Sequence, residues 1–103
     1  MNSQNLLEWD VYEISSQEVP LQGVKCRGRL RKCALEHNIN LLAENASDKE
    51  NTVRFAVLKG EDITFLQDFI NNTFSNPIIS KIGIFQNPIL SSLKHNDETR
   101  YTL

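Results

Sequence analysis

The chain has 103 residues, 40% of them hydrophobic, and carries 11 Lys and Arg against 13 Asp and Glu, a formal net charge of −2. A chain of this size closes one compact core and is too short for two, and the slight acidity excludes the broad basic surplus by which nucleic-acid and anionic-membrane binders attract their ligands. Any anion site must therefore be local. The start "MNSQNLLEWD" has neither the basic end nor the apolar run of a leader, and no stretch approaches the roughly 20 apolar residues that span a bilayer, so a single-domain cytoplasmic protein with no membrane or nucleic-acid partner is expected.

In chain order, "WDVYEI" (residues 9–14) has the β-branched and aromatic content of a first strand. The turn "SSQEVPLQG" follows, punctuated by Ser15, Ser16, Pro20 and Gly23. From Cys26 to about His37, the residues Cys26, Leu30, Cys33, Ala34 and His37 recur at helical spacing, with Arg27, Arg31, Lys32 and Glu36 on the remaining arc. That spacing predicts an amphipathic helix with Cys26, Cys33 and His37 on its core side, ended at "HNIN" because Asn tolerates a left-handed terminus. "INLLAEN" and "NTVRFAVL" read as two strands about the polar hairpin "ASDKEN", with Val53, Phe55 and Val57 alternating against Arg54 and Ala56. A second helix runs from Ile63 to about Thr73, its apolar stripe made by Ile63, Leu66, Phe69, Ile70 and Phe74, with Glu61 and Asp62 at the end where the dipole favours acid. "NPIISKIGIFQ" restarts as a strand after Pro77, and the weakly patterned "LSSLKHNDETRYTL" supplies one short last strand or trails off. Residues 1–8 and 88–103 are expected to be loosely ordered.

The order is βαββαβ. It predicts an α+β, ferredoxin-like sandwich, with two helices packed on one face of a mainly antiparallel sheet of four to five strands. This architecture hosts enzymes, RNA-binding modules and regulatory domains alike, so the site must decide the function. An RNA-binding module would stack bases on aromatic residues of the central strands, where "TVRFAVL" offers only Phe55.

The stretch "VPLQGVKCRGRL" concentrates Gly23, Lys25, Arg27 and Arg29 at the junction of the first strand and the first helix. A glycine lets backbone approach a ligand closely, and a helix N-terminus brings unpaired N–H groups and a positive dipole end. Arg27 in the first turn would add a forked cation.

"LQGVKCR" resembles the signature of the acylphosphatase family, a Gln-Gly-Val turn followed by two residues and an Arg, matched here by Gln22, Gly23, Val24 and Arg27. "LLAENASDKENTVRFAVLKG" is similar to that family's second signature, through Asn45, Asp48, Val53 and Gly60, and the resemblance covers roughly residues 10–85. It implies a ferredoxin-like enzyme that hydrolyses the carboxyl-phosphate bond of acyl phosphates without metal or cofactor, and a monomer whose ligands are a small acyl phosphate or inorganic phosphate. By matching position, Arg27 would anchor the phosphoryl group and Asn45 would orient the attacking water, while Leu21, Gln22, Gly23, Val24, Lys25 and Cys26 would form the phosphate-binding loop.

The chain also departs from that pattern. Val19 stands where the family has a glycine three residues before the Gln, unless an insertion in "SSQEVP" puts Ser16 nearest that place. Lys25 and Cys26 replace an apolar or aromatic pair. Leu41 and Leu42 stand where a glycine and a large aromatic precede the Asn, and a hairpin glycine is replaced near Asn51, a position that Asn absorbs by visiting the left-handed region. A catalytically inactive member, acting as an anion-binding or protein-interaction module, is the alternative these departures favour.

Other candidates are weaker. Cys26 and Cys33 lie seven apart on one helix, about 10 Å of rise, too far for a disulfide. Only Cys33 and His37 stand close enough to share a metal, and two ligands do not close a zinc site. Cys26, at a helix start beside Lys25 and Arg27, is a candidate for a lowered thiol pKa, although no His partner can be placed near it. The sequons at Asn45 and Asn71 have no leader to give them meaning.

Overall fold

The computed structural model describes residues 7–18, 20–21, 26–46 and 48–86. Strand β1 (Glu8–Ser15) leads to helix α1 (Cys26–Glu36), β2 (Leu41–Asn45), β3 (Thr52–Leu58), α2 (Thr64–Thr73) and β4 (Ile78–Gln86). The strands form one sheet in the order β2-β3-β1-β4, with every neighbouring pair antiparallel. This is the ferredoxin-like arrangement that the βαββαβ order predicts. The first strand starts at Glu8, inside the stretch expected to be loose, because Glu8 pairs with Gln86 of β4. The fifth strand considered for "LSSLKHNDETRYTL" lies outside the described residues.

Local chemistry sets the element boundaries. The last turn of α1 closes when Asn38 takes φ 59° and its N–H donates to Leu35 O at 3.1 Å, while the Ile39 N–H reaches back to Ala34 O at 2.9 Å. That double closure is the Schellman motif, and Ile39 packs on the core as its hydrophobic partner. Of the two acids before α2, Asp62 carries the start: its Oδ1 accepts from the Thr64 N–H at 2.9 Å and the Thr64 hydroxyl at 2.7 Å. Those bonds hold its carboxyl below the usual range.

The helices cover one face of the sheet. Ile14, Val53, Phe55, Val57, Leu41 and Ala43 point from the strands into a cluster with Leu30, Cys33, Ala34, Leu66, Ile70 and Phe74. Tyr12 stacks on the buried Phe55 ring with centroids 5.1 Å apart. The opposite face is apolar as well at one end, where Trp9, Val11, Leu42 and Ala56 form a second buried cluster. Ala56, which alternation assigns to the polar side of its strand, is therefore buried. Every residue of β3 from Phe55 to Val57 is closed to solvent.

The other end of that second face is charged. Arg54 on β3 donates from Nε to Glu13 at 2.8 Å and from Nη2 to Asp48 at 2.7 Å, and lies 3.5 Å from Glu44, while Lys49 reaches Glu13 at 3.0 Å. Burial alone would push the Glu13 carboxyl up, but hydrogen bonds from Arg54 and Lys49 outweigh it and leave it lowered. The bond from Arg54 lowers Asp48 too. At the far end of β1, the buried Asp10 accepts from the Gly60 N–H at 3.0 Å, which fixes a turn where Gly60 has φ 86°, and pairs with Lys81 at 3.2 Å. Strand β4 is the sheet edge and exposes Ile78, Ile82, Ile84 and Phe85, with a register shift opposite Val11 and Tyr12.

A group whose pKa is lowered by folding stabilises the fold above its unfolded pKa, and that contribution is lost as pH falls through the folded value. Stability should therefore decline below about pH 4.5 as Glu13 and Asp48 take up protons. Arg54→Ala should cost about 1–2 kcal/mol at pH 7, less than a wholly enclosed pair because the network is partly wet, and should flatten that acid slope. Urea midpoints of both proteins between pH 3 and pH 7 give the comparison, and equal slopes would remove the network from the stability account.

Candidate functional site

The register places Asn45 at the end of the sheet where β1 also ends. Val53 of β3 pairs with Ile14 of β1 on one side and with Asn45 of β2 on the other. Neighbouring strands lie about 4.8 Å apart, so Asn45 is about 10 Å from Ile14 across the sheet. Both strands run toward this end, where β1 hands the chain to the loop and to the N-terminus of α1. Asn45 follows Ala43 by two along its strand and so shares the helix-covered face. Its side-chain Oδ1 is buried and accepts no hydrogen bond among the described residues. An orphaned buried carbonyl is costly unless something supplies a donor.

Arg27 is the second residue of α1 and is half-buried. Among the described residues, the cations outside α1 are all paired with acids: Lys49 and Arg54 in the network on β3, Lys59 with Glu8, Lys81 with Asp10. Arg27, Arg29, Arg31 and Lys32 of α1 have no ion pair among the described residues. The first turn of α1 contains no acid to neutralise its positive dipole end. The Arg27 and Gly28 N–H groups belong to the first turn and have no intrahelical acceptor. The cationic side chain and the positive dipole end thus converge on one place.

Of the loop expected to cradle phosphate, Gln22, Gly23, Val24 and Lys25 lie outside the described residues, as does Val19. Its two ends are described, and their backbone donors are already used. The Leu21 N–H donates to Asn51 Oδ1 at 2.7 Å, and the Cys26 N–H donates to Leu21 O at 3.0 Å. The Leu21 side chain is buried in the main core. Leu21 and Cys26 therefore frame segment 22–25, with their own N–H groups engaged within the protein. Leu41 and Leu42 are both buried, one in each cluster, so they serve packing.

Two further expectations change. Burial pushes the Cys26 thiol up to about 12, against the opposing influence of Arg29, where proximity to cations had suggested a lowered value. At 0% exposure the side chain has turned into the core and away from the site. His37 is exposed, not part of the core face: it stacks on Phe65 with centroids 4.2 Å apart, and its Nδ1 lies 3.0 Å from Cys33 O. Cys26 and Cys33 are free thiols. Among the described residues no group of three or more His, Cys, Asp or Glu is placed to hold a metal ion, and no helix is long and apolar enough to cross a membrane.

The residue that the sequence did not mark as a contact is Asn51. It takes φ 46°, the left-handed value expected there, and its amide spans from the hairpin to the loop. The signal was its position at a hairpin end, which speaks of backbone and not of reach. Against this geometry, comparisons with family models, with curated proteins and with solved structures match nothing to the chain. The class that the fold defines is a ferredoxin-like α+β protein; Arg27, without an ion pair among the described residues, lies in the first turn of α1, and Asn45, whose Oδ1 has no partner among them, ends β2.

A buried thiol of raised pKa reacts only when the structure opens. Cys26 should accordingly label with a disulfide reagent at pH 8 on the order of 100-fold more slowly in the native protein than in urea. Labelling at the unfolded rate without urea would place Cys26 at the surface.

Proposed function

We propose that this protein is an acylphosphatase, which hydrolyses the carboxyl-phosphate bond of a small acyl phosphate to a carboxylate and inorganic phosphate. The observation that carries the reading is the buried Asn45 Oδ1, without a partner among the described residues, at the end of the sheet to which hydrogen bonds through Leu21 and Asn51 tie the start of α1 and with it Arg27, whose guanidinium has no ion pair among those residues. In this mechanism the Arg27 guanidinium forks onto two phosphoryl oxygens, joined by the N–H groups at the start of α1. Asn45 Oδ1 accepts one O–H of a water and turns the lone pair of that water toward phosphorus. The water oxygen bonds to phosphorus as the bond from phosphorus to the acyl oxygen breaks. The departing carboxylate has a conjugate acid of pKa about 4 and needs no proton to leave. The water proton passes to the phosphate product.

Such a reaction asks little of the protein beyond position and charge. An amide cannot serve as a general base, so the role of Asn45 is alignment. The resemblance of "LQGVKCR" and of the segment around Asn45 to acylphosphatase signatures supports the same assignment, with phosphate and acyl phosphate as ligands, no metal and a cytoplasmic monomer. The base-stacking alternative finds no support in Phe55, whose ring lies under the helices.

The test is hydrolysis of benzoyl phosphate, with and without chelator, by wild type, Arg27→Ala and Asn45→Ala. Arg27→Ala should lose on the order of 100-fold in rate and most of the inhibition by inorganic phosphate. Asn45→Ala should lose a similar factor in kcat while phosphate inhibits as before. Equal loss of phosphate affinity in both variants would undo this division of roles. A folded wild type no faster than buffer would leave the site as an anion-binding or protein-interaction module.

A further inference from the structure

Asn51 joins two segments that the proposed chemistry must hold in register. On one side is the hairpin: Asn45 ends β2, the Ala46 N–H donates to Thr52 O at 2.8 Å, and Asn51 immediately precedes β3. On the other side is the loop from β1 to α1. Asn51 Oδ1 accepts from the Leu21 N–H at 2.7 Å, and Asn51 Nδ2 donates to Ser16 O. One planar amide thus grips the loop at two backbone points five residues apart.

The grip is transmitted toward Arg27. Leu21 O accepts from the Cys26 N–H, which is the residue before Arg27, so the Leu21 backbone links the Asn51 amide to the start of α1 in one step. Leu21 and Cys26 are also fixed by burial, both at 0% exposure. Ser16 is tied separately, its Oγ donating to Ser75 O at 3.3 Å and accepting from the Glu18 N–H at 3.2 Å. The left-handed backbone of Asn51, φ 46°, aims the amide across this gap. Asn reaches that region more readily than other residues with a Cβ, and its amide offers both a donor and an acceptor.

We infer that Asn51 is a positioning residue: its amide sets the distance between the phosphoryl-binding Arg27 at the start of α1 and the water-holding Asn45. It acts through the backbone that it holds. Its catalytic importance rests on the acylphosphatase reading, whereas the tie itself rests on the hydrogen bonds alone. A phosphoryl group held as tightly as before but displaced by a fraction of an ångström from the water reacts more slowly without binding more weakly. The expected signature is therefore a fall in kcat with little change in phosphate affinity.

Asn51→Gly is the informative variant, since glycine keeps the left-handed backbone and removes only the amide. With benzoyl phosphate its kcat should fall about tenfold or more, while the inhibition constant of inorganic phosphate stays within about threefold of wild type. Amide hydrogen exchange gives the second readout: the Leu21 N–H should exchange about tenfold or more faster in Asn51→Gly, with the core amides of β3 unchanged. Asn51→Asp keeps the acceptor for Leu21 and loses the donor for Ser16, so Leu21 protection should return in it.

An active wild type with unchanged kcat in Asn51→Gly would overturn the inference. Unaltered Leu21 exchange would overturn it equally, whatever the rates. If wild type were inert toward benzoyl phosphate while Asn51→Gly still exposed the Leu21 N–H, the acylphosphatase reading would fall and Asn51 would lose its catalytic role, but the tie would stand. The two failures are thus separable.

Discussion

Strand β3 is the constraint on which the rest depends. It is hydrogen-bonded along both sides, to β1 and to β2, and its residues are closed to solvent on both faces through the stretch Phe55 to Val57. Because β3 sits between two strands that run the same way, their ends arrive together: Val53 separates Ile14 from Asn45 by one strand on each side. A slip of one residue in this register would turn Asn45 to the opposite face and bring Glu44 under the helices. The Arg54 network guards against that slip, since its three carboxylates come from β1, β2 and the hairpin and converge only in the observed pairing. Register, core and site are thus one decision.

The charges divide by location in a way that follows from the same architecture. On the sheet and its turns the described cations are neutralised by acids within reach, which suits side chains that must lie flat over a packed surface. On α1 the four cations have no ion pair among the described residues, and the first turn of the helix holds no acid to answer its dipole. A chain of net charge −2 has acids enough to pair them. In the proposed acylphosphatase reaction, an oxyanion would answer these cations and its attendant water the Asn45 Oδ1, which has no donor among the described residues.

Much of the fold was legible because each element carried its own physical signature. The period of α1, the Asn that ended it, the alternation of Val53, Phe55 and Val57, and the acid before α2 each corresponded to a local interaction that the structure contains. What escaped was non-local. The side chain of Ala56 is small enough for either face, and only the second apolar cluster, built with Trp9, Val11 and Leu42, decides its burial. Cys26 and His37 lay on the inner arc of the helical pattern, but the helix rotates Cys26 wholly inward and leaves His37 beyond its last turn, against Phe65. For the candidate site, the places of Arg27 in the first turn of α1 and of Asn45 at the end of β2 were readable from pattern and order. The commitment of the Leu21 and Cys26 N–H groups was not, because it depends on a partner 30 residues from Leu21 and on a loop closure that no spacing announces.

The central claim is that Arg27 and Asn45 face one bound phosphoryl group at the end of the sheet defined by β3. Titration of wild type with inorganic phosphate, followed by the Arg27 side-chain Nε–H and the Asn45 side-chain NH2 resonances, tests it most directly. Both signals should shift saturably with one dissociation constant, accompanied by the backbone amides of Arg27 and Gly28. Shifts that fail to saturate, or that fall on Arg29 and Lys32 while Arg27 and Asn45 stay still, would contradict it and reduce the basic start of α1 to a solvated helix surface.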